Sequence, residues 1–279
     1  MLNDFPTIRI ISTDKLVVHE LHDDQRTPPL VEKLRDSGVL KNPPIVAPFN
    51  DGSGNYMVLD GANRSTALKK MGLKHVLAQI VEPDALPLDV QTWNHVCWGI
   101  SPDEFFAGLQ AIPEIRLDKV DPTDGLRQLY SHHILIMAQR PDSEHSFAGL
   151  YDQGDLISRI NLLHRVMDSY KERAKLDRTR VRQINAVKGM YEGLSGLIIY
   201  PPFKMNEVMQ LVSAGHLFPA GVTRFTVAPR ALRVNYPMDE LDSEDSLEAK
   251  NERLDQWIQQ KISAKSVRFY AEPTVLFDE

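Results

Sequence analysis

The segment of this chain with the most definite chemical potential is Val58-Leu-Asp-Gly-Ala-Asn-Arg-Ser-Thr-Ala-Leu-Lys-Lys-Met-Gly72. An apolar strand ends at Asp60-Gly61 and a helix begins at once. The first N–H groups of a helix lack intrahelical partners, and the macrodipole places partial positive charge behind them. Such a turn suits a phosphate. Arg64, in the first turn, adds a fork of donors matched to phosphate oxygens. The spacing leaves a second reading open: an ordinary strand–turn–helix, with Asp60 capping the helix and Arg64 on its surface.

The same segment is similar to the DGxHRxxALKxxG motif of the ParB/sulfiredoxin-like superfamily. Asp60, Gly61, Arg64, Ala67, Leu68, Lys69 and Gly72 fit, and Asn63 stands where the motif has histidine. A neutral histidine can pass on a proton, whereas an asparagine amide only donates and accepts hydrogen bonds. Proton chemistry at that position is therefore done otherwise in this chain, or not at all. The superfamily includes partition proteins, sulfiredoxins, nucleases and small-molecule kinases, so the fold does not settle the function. Three further segments narrow the choice: Val18-His-Glu20 with Arg26 downstream, Thr92-Trp-Asn-His95, and Pro219-Ala-Gly-Val-Thr-Arg-Phe225. Together they resemble the free-serine kinases, including those of siderophore-precursor pathways, which convert L-serine to O-phospho-L-serine. The resemblance covers most of the chain and is poor between Gly99 and Leu194.

That resemblance implies specific roles. Glu20 would be the catalytic base that accepts the serine hydroxyl proton during phosphoryl transfer. Asp60, Gly61, Ala62, Asn63, Arg64, Ser65 and Thr66 would bind the nucleotide, ATP or ADP. Mg²⁺ would bridge its phosphates, with Asp60 reaching the metal directly or through water. Arg26, Trp93, His95, Thr223 and Arg224 would bind the substrate, with Gly221 allowing close backbone approach. Without the resemblance, Glu20 and Arg26 read as surface charges, Trp93 as core, and Arg224 as a salt-bridge partner at a strand entry. His19 should face the opposite side of its strand from Glu20 and reads as structural. His22 reads as a loop residue, and neither histidine fits a zinc motif. A sulfiredoxin needs a thiol beside the motif, but the single cysteine, Cys97, lies well outside it.

These residues need an α+β frame: a ParB/sulfiredoxin-like unit over residues 1–90, packed with a larger mixed α/β part over residues 91–279. Strands are expected at Thr7–Ile11, Lys15–His19, Pro44–Pro48, Tyr56–Leu59 and His75–Val81. A helix opens at Pro28-Pro29 and stops near Gly38, and another runs from Ala62 to Met71. Downstream, Ser101-Pro-Asp-Glu104 is a capping box starting a helix. His132–Ala138 and Gly196–Tyr200 read as buried strands. Asp155–Ala174, Lys204–Ala214 and Glu252–Ile262 carry helical apolar spacing. Phe225 enters a strand that returns at Ala231–Val234, and Val267–Tyr270 is strand-like. Asp239–Glu248 reads as a solvated acidic linker and helix start.

Composition narrows the function classes. Apolar residues make up 42% of the 279 and charged residues 25%, as in a globular protein with a sizeable core. With 32 basic and 38 acidic residues the net charge is -6, against a bulk-cationic nucleic-acid or membrane binder. One cysteine excludes an internal disulfide and points to a reducing cytoplasm. No signal peptide or membrane span is evident. The basic stretch Lys171–Arg182 is the strongest candidate for nucleic-acid contact, but it reads better as a solvated helix end. Expected partners are therefore nucleotide and L-serine, without membrane or nucleic acid. The alternative is a non-catalytic ParB-like regulator that binds nucleotide or DNA, and the sequence does not set the oligomeric state.

Overall fold

The computed structural model describes residues 5–21, 27–84, 88–152, 154–270 and 272. Its first part contains β1 (Thr7–Ser12), β2 (Leu16–Val18), α1 (Thr27–Ser37), β3 (Val39–Leu40), β4 (Ile45–Pro48), β5 (Tyr56–Asp60), α2 (Ala62–Lys70) and β6 (His75–Ile80). Five strands form one mixed sheet in the order β1-β6-β4-β5-β2. Side chains alternate across it with the strand period of two. Val46 and Val58 enter a core with Leu34 and Leu68 from α1 and α2. Ala47, Met57 and Leu59 enter a second core on the opposite face.

The second part continues with β7 (Asp89–Thr92), β8 (Asn94–Trp98), α3 (Pro102–Gln110), β9 (Arg116–Val120), α4 (Pro122–Tyr130), β10 (Ile136–Gln139) and β11 (Ser146–Leu150). After these come α5 (Leu156–Asp168), β12 (Lys175–Thr179), β13 (Leu194–Ile199), α6 (Met205–Ser213), β14 (Thr223–Thr226), β15 (Tyr236–Pro237), α7 (Met238–Asp242) and α8 (Leu247–Ser263). Six strands build an antiparallel sheet in the order β12-β8-β13-β10-β11-β9. Phe105, Leu163 and Val208, from α3, α5 and α6, share the core that Met57 and Leu59 enter from the first sheet. The two parts are thus welded by a common apolar layer. Ser101 caps α3 by accepting from the Glu104 N–H, with Pro102 at the first helical position.

Several expectations are corrected. Lys171–Arg182 is not a helix end: its centre is β12, paired with β8. Basic side chains on an edge strand mask the β pattern, because one face meets solvent. The strand expected over His132–Ala138 starts only at Ile136, after a turn in which His132 has φ 59°. Ala231–Val234 and Val267–Tyr270 form no strand among the described residues; apolar, β-branched composition makes no strand without an edge to join. The acidic run contains α7. The C-terminal helices, grouped by chain order with the second part, return to the first: Leu241 and Leu254 lie in its core.

Buried amides fasten these returns. Asn251 on α8 accepts from the Ile10 N–H (3.0 Å) and donates to the Ile10 carbonyl (2.8 Å). It thereby substitutes for a neighbouring strand on the free edge of β1. Gln79 on β6 donates to the Pro229 carbonyl and accepts from the Ala231 N–H, both at 2.8 Å, gripping the chain on either side of Arg230.

A third fastening runs through the core. His95 on β8 is fully buried. Its Nε2 lies 3.1 Å from the Gly221 carbonyl and its Nδ1 2.8 Å from the Tyr170 hydroxyl, which meets the Tyr200 hydroxyl at 2.5 Å. A carbonyl only accepts, so Nε2 carries the proton and Nδ1 accepts from Tyr170; Tyr200 must then donate to Tyr170. Burial drives the His95 pKa down to about 4, against the opposing Gly221 bond and with help from the Arg178 charge. The ring is neutral, as this chain of bonds requires.

Two outcomes follow. Asn251→Ala should cost about 1–3 kcal/mol in urea unfolding, because both Ile10 backbone groups lose their partner. Asn251→Asp should be no better, since a carboxylate cannot donate to the Ile10 carbonyl. Acid should also weaken the fold through His95. The unfolded imidazole takes a proton below its ordinary 6.5, whereas the folded one waits until about 4. Stability from this group is therefore intact above pH 6.5 and declines by roughly 3 kcal/mol as pH falls to 4. Urea midpoints across that window should fall less steeply in His95→Gln; an unchanged slope would refute the assignment.

Candidate active site

Glu20 follows β2, where the chain leaves the first sheet and meets the second part. Its neighbours form a parallel bridge with Phe218: Phe218 N–H donates to the His19 carbonyl (2.8 Å) and Leu21 N–H to the Phe218 carbonyl (3.0 Å). This docking delivers the segment Pro219–Arg224 to the carboxylate. Gly221 N–H donates to Glu20 Oε2 at 2.7 Å. The other oxygen, Oε1, has no hydrogen-bond partner among the described residues. Gly221 has φ 72°, which glycine adopts without strain.

His19 does not face away from Glu20: its Nε2 is 3.8 Å from Glu20 Oε2. Strand β2 ends at Val18, so strict alternation no longer governs the next two side chains. His19 Nδ1 lies 2.6 Å from the Val58 carbonyl and its Nε2 2.6 Å from Thr223 Oγ1. Burial lowers the His19 pKa, outweighing the Glu20 charge. The neutral ring donates to Val58 through Nδ1 and accepts the Thr223 hydroxyl proton at Nε2. Thr223 Oγ1 is also 3.5 Å from Glu20 Oε2, but its one proton goes to the much nearer histidine.

The motif segment divides its labour along α2. Gly61 opens the helix at φ 95°, and no side chain caps it. Asp60 instead takes an ion pair from Arg230 and lies 3.5 Å from Arg64, which also donates to the Asn42 carbonyl at 2.5 Å. The uncapped N–H groups therefore sit beside two guanidiniums. Asn63 Oδ1 is shielded from water and without a hydrogen-bond partner among the described residues. Ala62 and Thr66 are half-buried in the same turn and the next. Ser65 is not with them: it is fully buried, and its N–H bonds the Gly61 carbonyl. Its helical position turns it inward with Leu68 rather than toward the mouth. Farther along, Ala67 and Leu68 fill the core, and Lys69 donates to the Leu16 carbonyl (2.6 Å), fastening β2.

Around the segment Pro219–Arg224, Trp93 N–H donates to the Val222 carbonyl (2.8 Å), and β14 pairs with β7. The Arg224 guanidinium lies 4.9 Å above the Trp93 ring and donates to Gln91. Burial, then the Arg180 and Arg230 charges, lower the Arg224 pKa, so these arginines feel one another. His95 does not line an open cleft. Both ring nitrogens are engaged inside the protein, and it touches the site only through Gly221. Arg26 lies outside the described residues.

Sequence reasoning missed Arg178, Arg180, Arg230, Gln79 and Gln91. The arginines were hidden in an assumed helix end and an assumed hairpin turn. The proline-flanked Arg230 gave no motif signal. Among the described residues no cluster of three or more His, Cys, Asp or Glu side chains could hold a metal, and no helix is long and apolar enough to cross a membrane.

No family model matches the chain. It is 26% identical over 278 residues to the ATP-dependent L-serine kinase SbnI of Staphylococcus aureus, covering 98% of this chain and 97% of that one. Among solved structures, C-terminally truncated SbnI from the same organism superposes with a TM-score of 0.70 at 23% identity, covering 91% of this chain and 97% of that one. A free serine kinase mutant in complex with AMP also gives 0.70, at 19% identity, over 85% and 94% of the two chains. The chain is thus similar over nearly its whole length to an ATP-dependent L-serine kinase, and its fold is that of the free serine kinases.

Proposed function

We propose that this protein is a kinase of free L-serine that uses ATP and yields O-phospho-L-serine. The observation that carries the reading is the bond from Gly221 N–H to Glu20 across 201 residues. It sets the Thr223–Arg224 segment against a carboxylate whose second oxygen has no partner among the described residues.

In this reading Glu20 Oε1 accepts the proton of the serine hydroxyl. The hydroxyl oxygen forms a bond to the terminal phosphorus of the nucleotide as the bridging bond breaks, and the leaving nucleoside diphosphate takes that electron pair. Little covalent help is needed from the protein; positioning and charge dominate. Ala62, Asn63 and Arg64 at the uncapped start of α2 hold the donor phosphates. Arg230, held on both sides by Gln79, adds charge at the same turn. Thr223 holds His19 beside Glu20, and Arg224 on Trp93 serves an oxyanion of the reacting pair. His95 acts by holding Gly221.

Mg²⁺ fits this donor set. It commonly takes one or two carboxylates plus substrate phosphates, and Asp60 supplies one carboxylate at the phosphate turn. Bound there, it would neutralise charge on the transferring phosphoryl group. Asp60 already answers Arg64 and Arg230, so the metal would share its carboxylate with them.

The decisive measurement is O-phosphoserine formed from ATP and L-serine by the purified protein. Glu20→Gln keeps shape and removes proton acceptance. It should retain nucleotide binding and lose about 10²–10⁴ in kcat; a near-normal kcat would remove Glu20 from the chemistry. Arg64→Ala should weaken nucleotide binding in isothermal titration while leaving serine affinity nearly unchanged. Equal weakening of both ligands would contradict its place at the phosphates.

A further inference from the structure

A guanidinium outside the motif lies against the loop that holds Glu20. Arg178 is on β12, directly opposite His95 on β8. Cross-strand neighbours present their side chains on one face, and both reach Gly221. His95 binds its carbonyl, while Arg178 lies over its α-carbon so closely that a Cβ there would overlap Nε, Cζ and NH2. The absent side chain of Gly221 is therefore the space that this guanidinium occupies.

Arg178 is also uncommitted. Among the described residues no carboxylate pairs with it and no hydrogen bond engages it. The chain is rich in acids, and Arg140, Arg165, Arg173, Arg230 and Arg253 all find them. Gly221 has Glu20 on its N–H side and Arg178 over its α-carbon. A hydrogen-bond acceptor for a hydroxyl and an unpaired planar cation thus share one small neighbour.

We infer that Arg178 binds the α-carboxylate of the amino-acid substrate while its hydroxyl meets Glu20. Three bonds separate hydroxyl oxygen and carboxylate carbon in serine, a span suited to groups that flank a single glycine. A carboxylate matches the forked guanidinium. Arg224 feels the charges of Arg180 and Arg230, and Arg230 is bonded to Asp60 at the phosphate turn. That leaves Arg224 to the transferred phosphoryl group. The assignment rests on the serine-kinase reading and specifies how it selects an amino acid over a simple alcohol.

The test compares L-serine with ethanolamine, which is serine without its carboxylate. In Arg178→Gln, kcat/KM for L-serine should fall about 10- to 100-fold, the range for losing a charged hydrogen-bonded contact. The value for ethanolamine should change little, so the preference for serine largely disappears. Arg224→Gln should depress both substrates alike. If Arg178→Gln lowers both by the same factor, Arg178 only supports the loop, and the inference fails. Retained discrimination refutes it too. If the wild-type protein makes no O-phosphoserine, the kinase reading fails separately. Isothermal titration of L-serine then decides the contact: binding by wild type that is lost in Arg178→Gln sustains it, while equal binding, or none by either protein, overturns it.

Discussion

The arrangement depends on one hydrogen bond, from Gly221 N–H to the Glu20 carboxylate. A single N–H to a charged acceptor contributes only about 1.5–3 kcal/mol, less than the entropy of ordering the loop that makes it. It persists because the segment is fixed on several sides. Phe218 is docked by backbone bonds around Glu20, Gly221 by His95, Val222 by Trp93, and Thr223 by His19. Each clamp comes from a rigid strand or its end. The loop is therefore preorganised, and the bond to Glu20 reports that geometry more than it creates it.

Two buried histidines do this work in opposite tautomers. His19 gives its Nδ1 proton to Val58, and His95 its Nε2 proton to Gly221. In each case a backbone carbonyl, which can only accept, settles where the proton sits. Burial keeps both rings neutral and leaves the second nitrogen as an acceptor for a hydroxyl. A protonated His95 would set a donor against Tyr170, whose hydroxyl would have to turn toward Tyr200. The positioning of the carboxylate is thereby tied to the protonation state of a residue that never meets solvent.

Much of the frame was legible in the sequence. In the first part, periodicity and punctuation locate β1, α1, β5, α2 and β6 to within about a residue or two, because each is short, bounded by Gly or Pro, and half-buried. The DG turn with Arg64 is legible for the same reason: its geometry is local. What sequence could not show was long-range. Nothing in Lys175–Thr179 says that β12 lies beside β8, so Arg178 read as solvated charge. In the sequence His95 and Trp93 read alike, as neighbours that could line a pocket for a small polar substrate. Only the fold shows that one is walled into the core while the other stays half-open beneath Arg224. Ser65 fits the motif by position, yet the helical turn carries it inward.

Charge explains why the missed residues matter together. The whole chain is acidic, yet Arg64, Arg178, Arg180, Arg224 and Arg230 gather around the seam between its two parts. Like charges so placed raise the free energy of the empty site; burial first, and then the Arg180 and Arg230 charges, lower the Arg224 pKa. Two features keep that cost tolerable: Asp60 answers Arg64 and Arg230, and the Trp93 ring face offers Arg224 a π-cloud in place of water. The remaining imbalance is what a nucleotide polyphosphate and an amino-acid carboxylate would neutralise. Selectivity for an anionic ligand would thus follow from the placement of charge rather than from its sum.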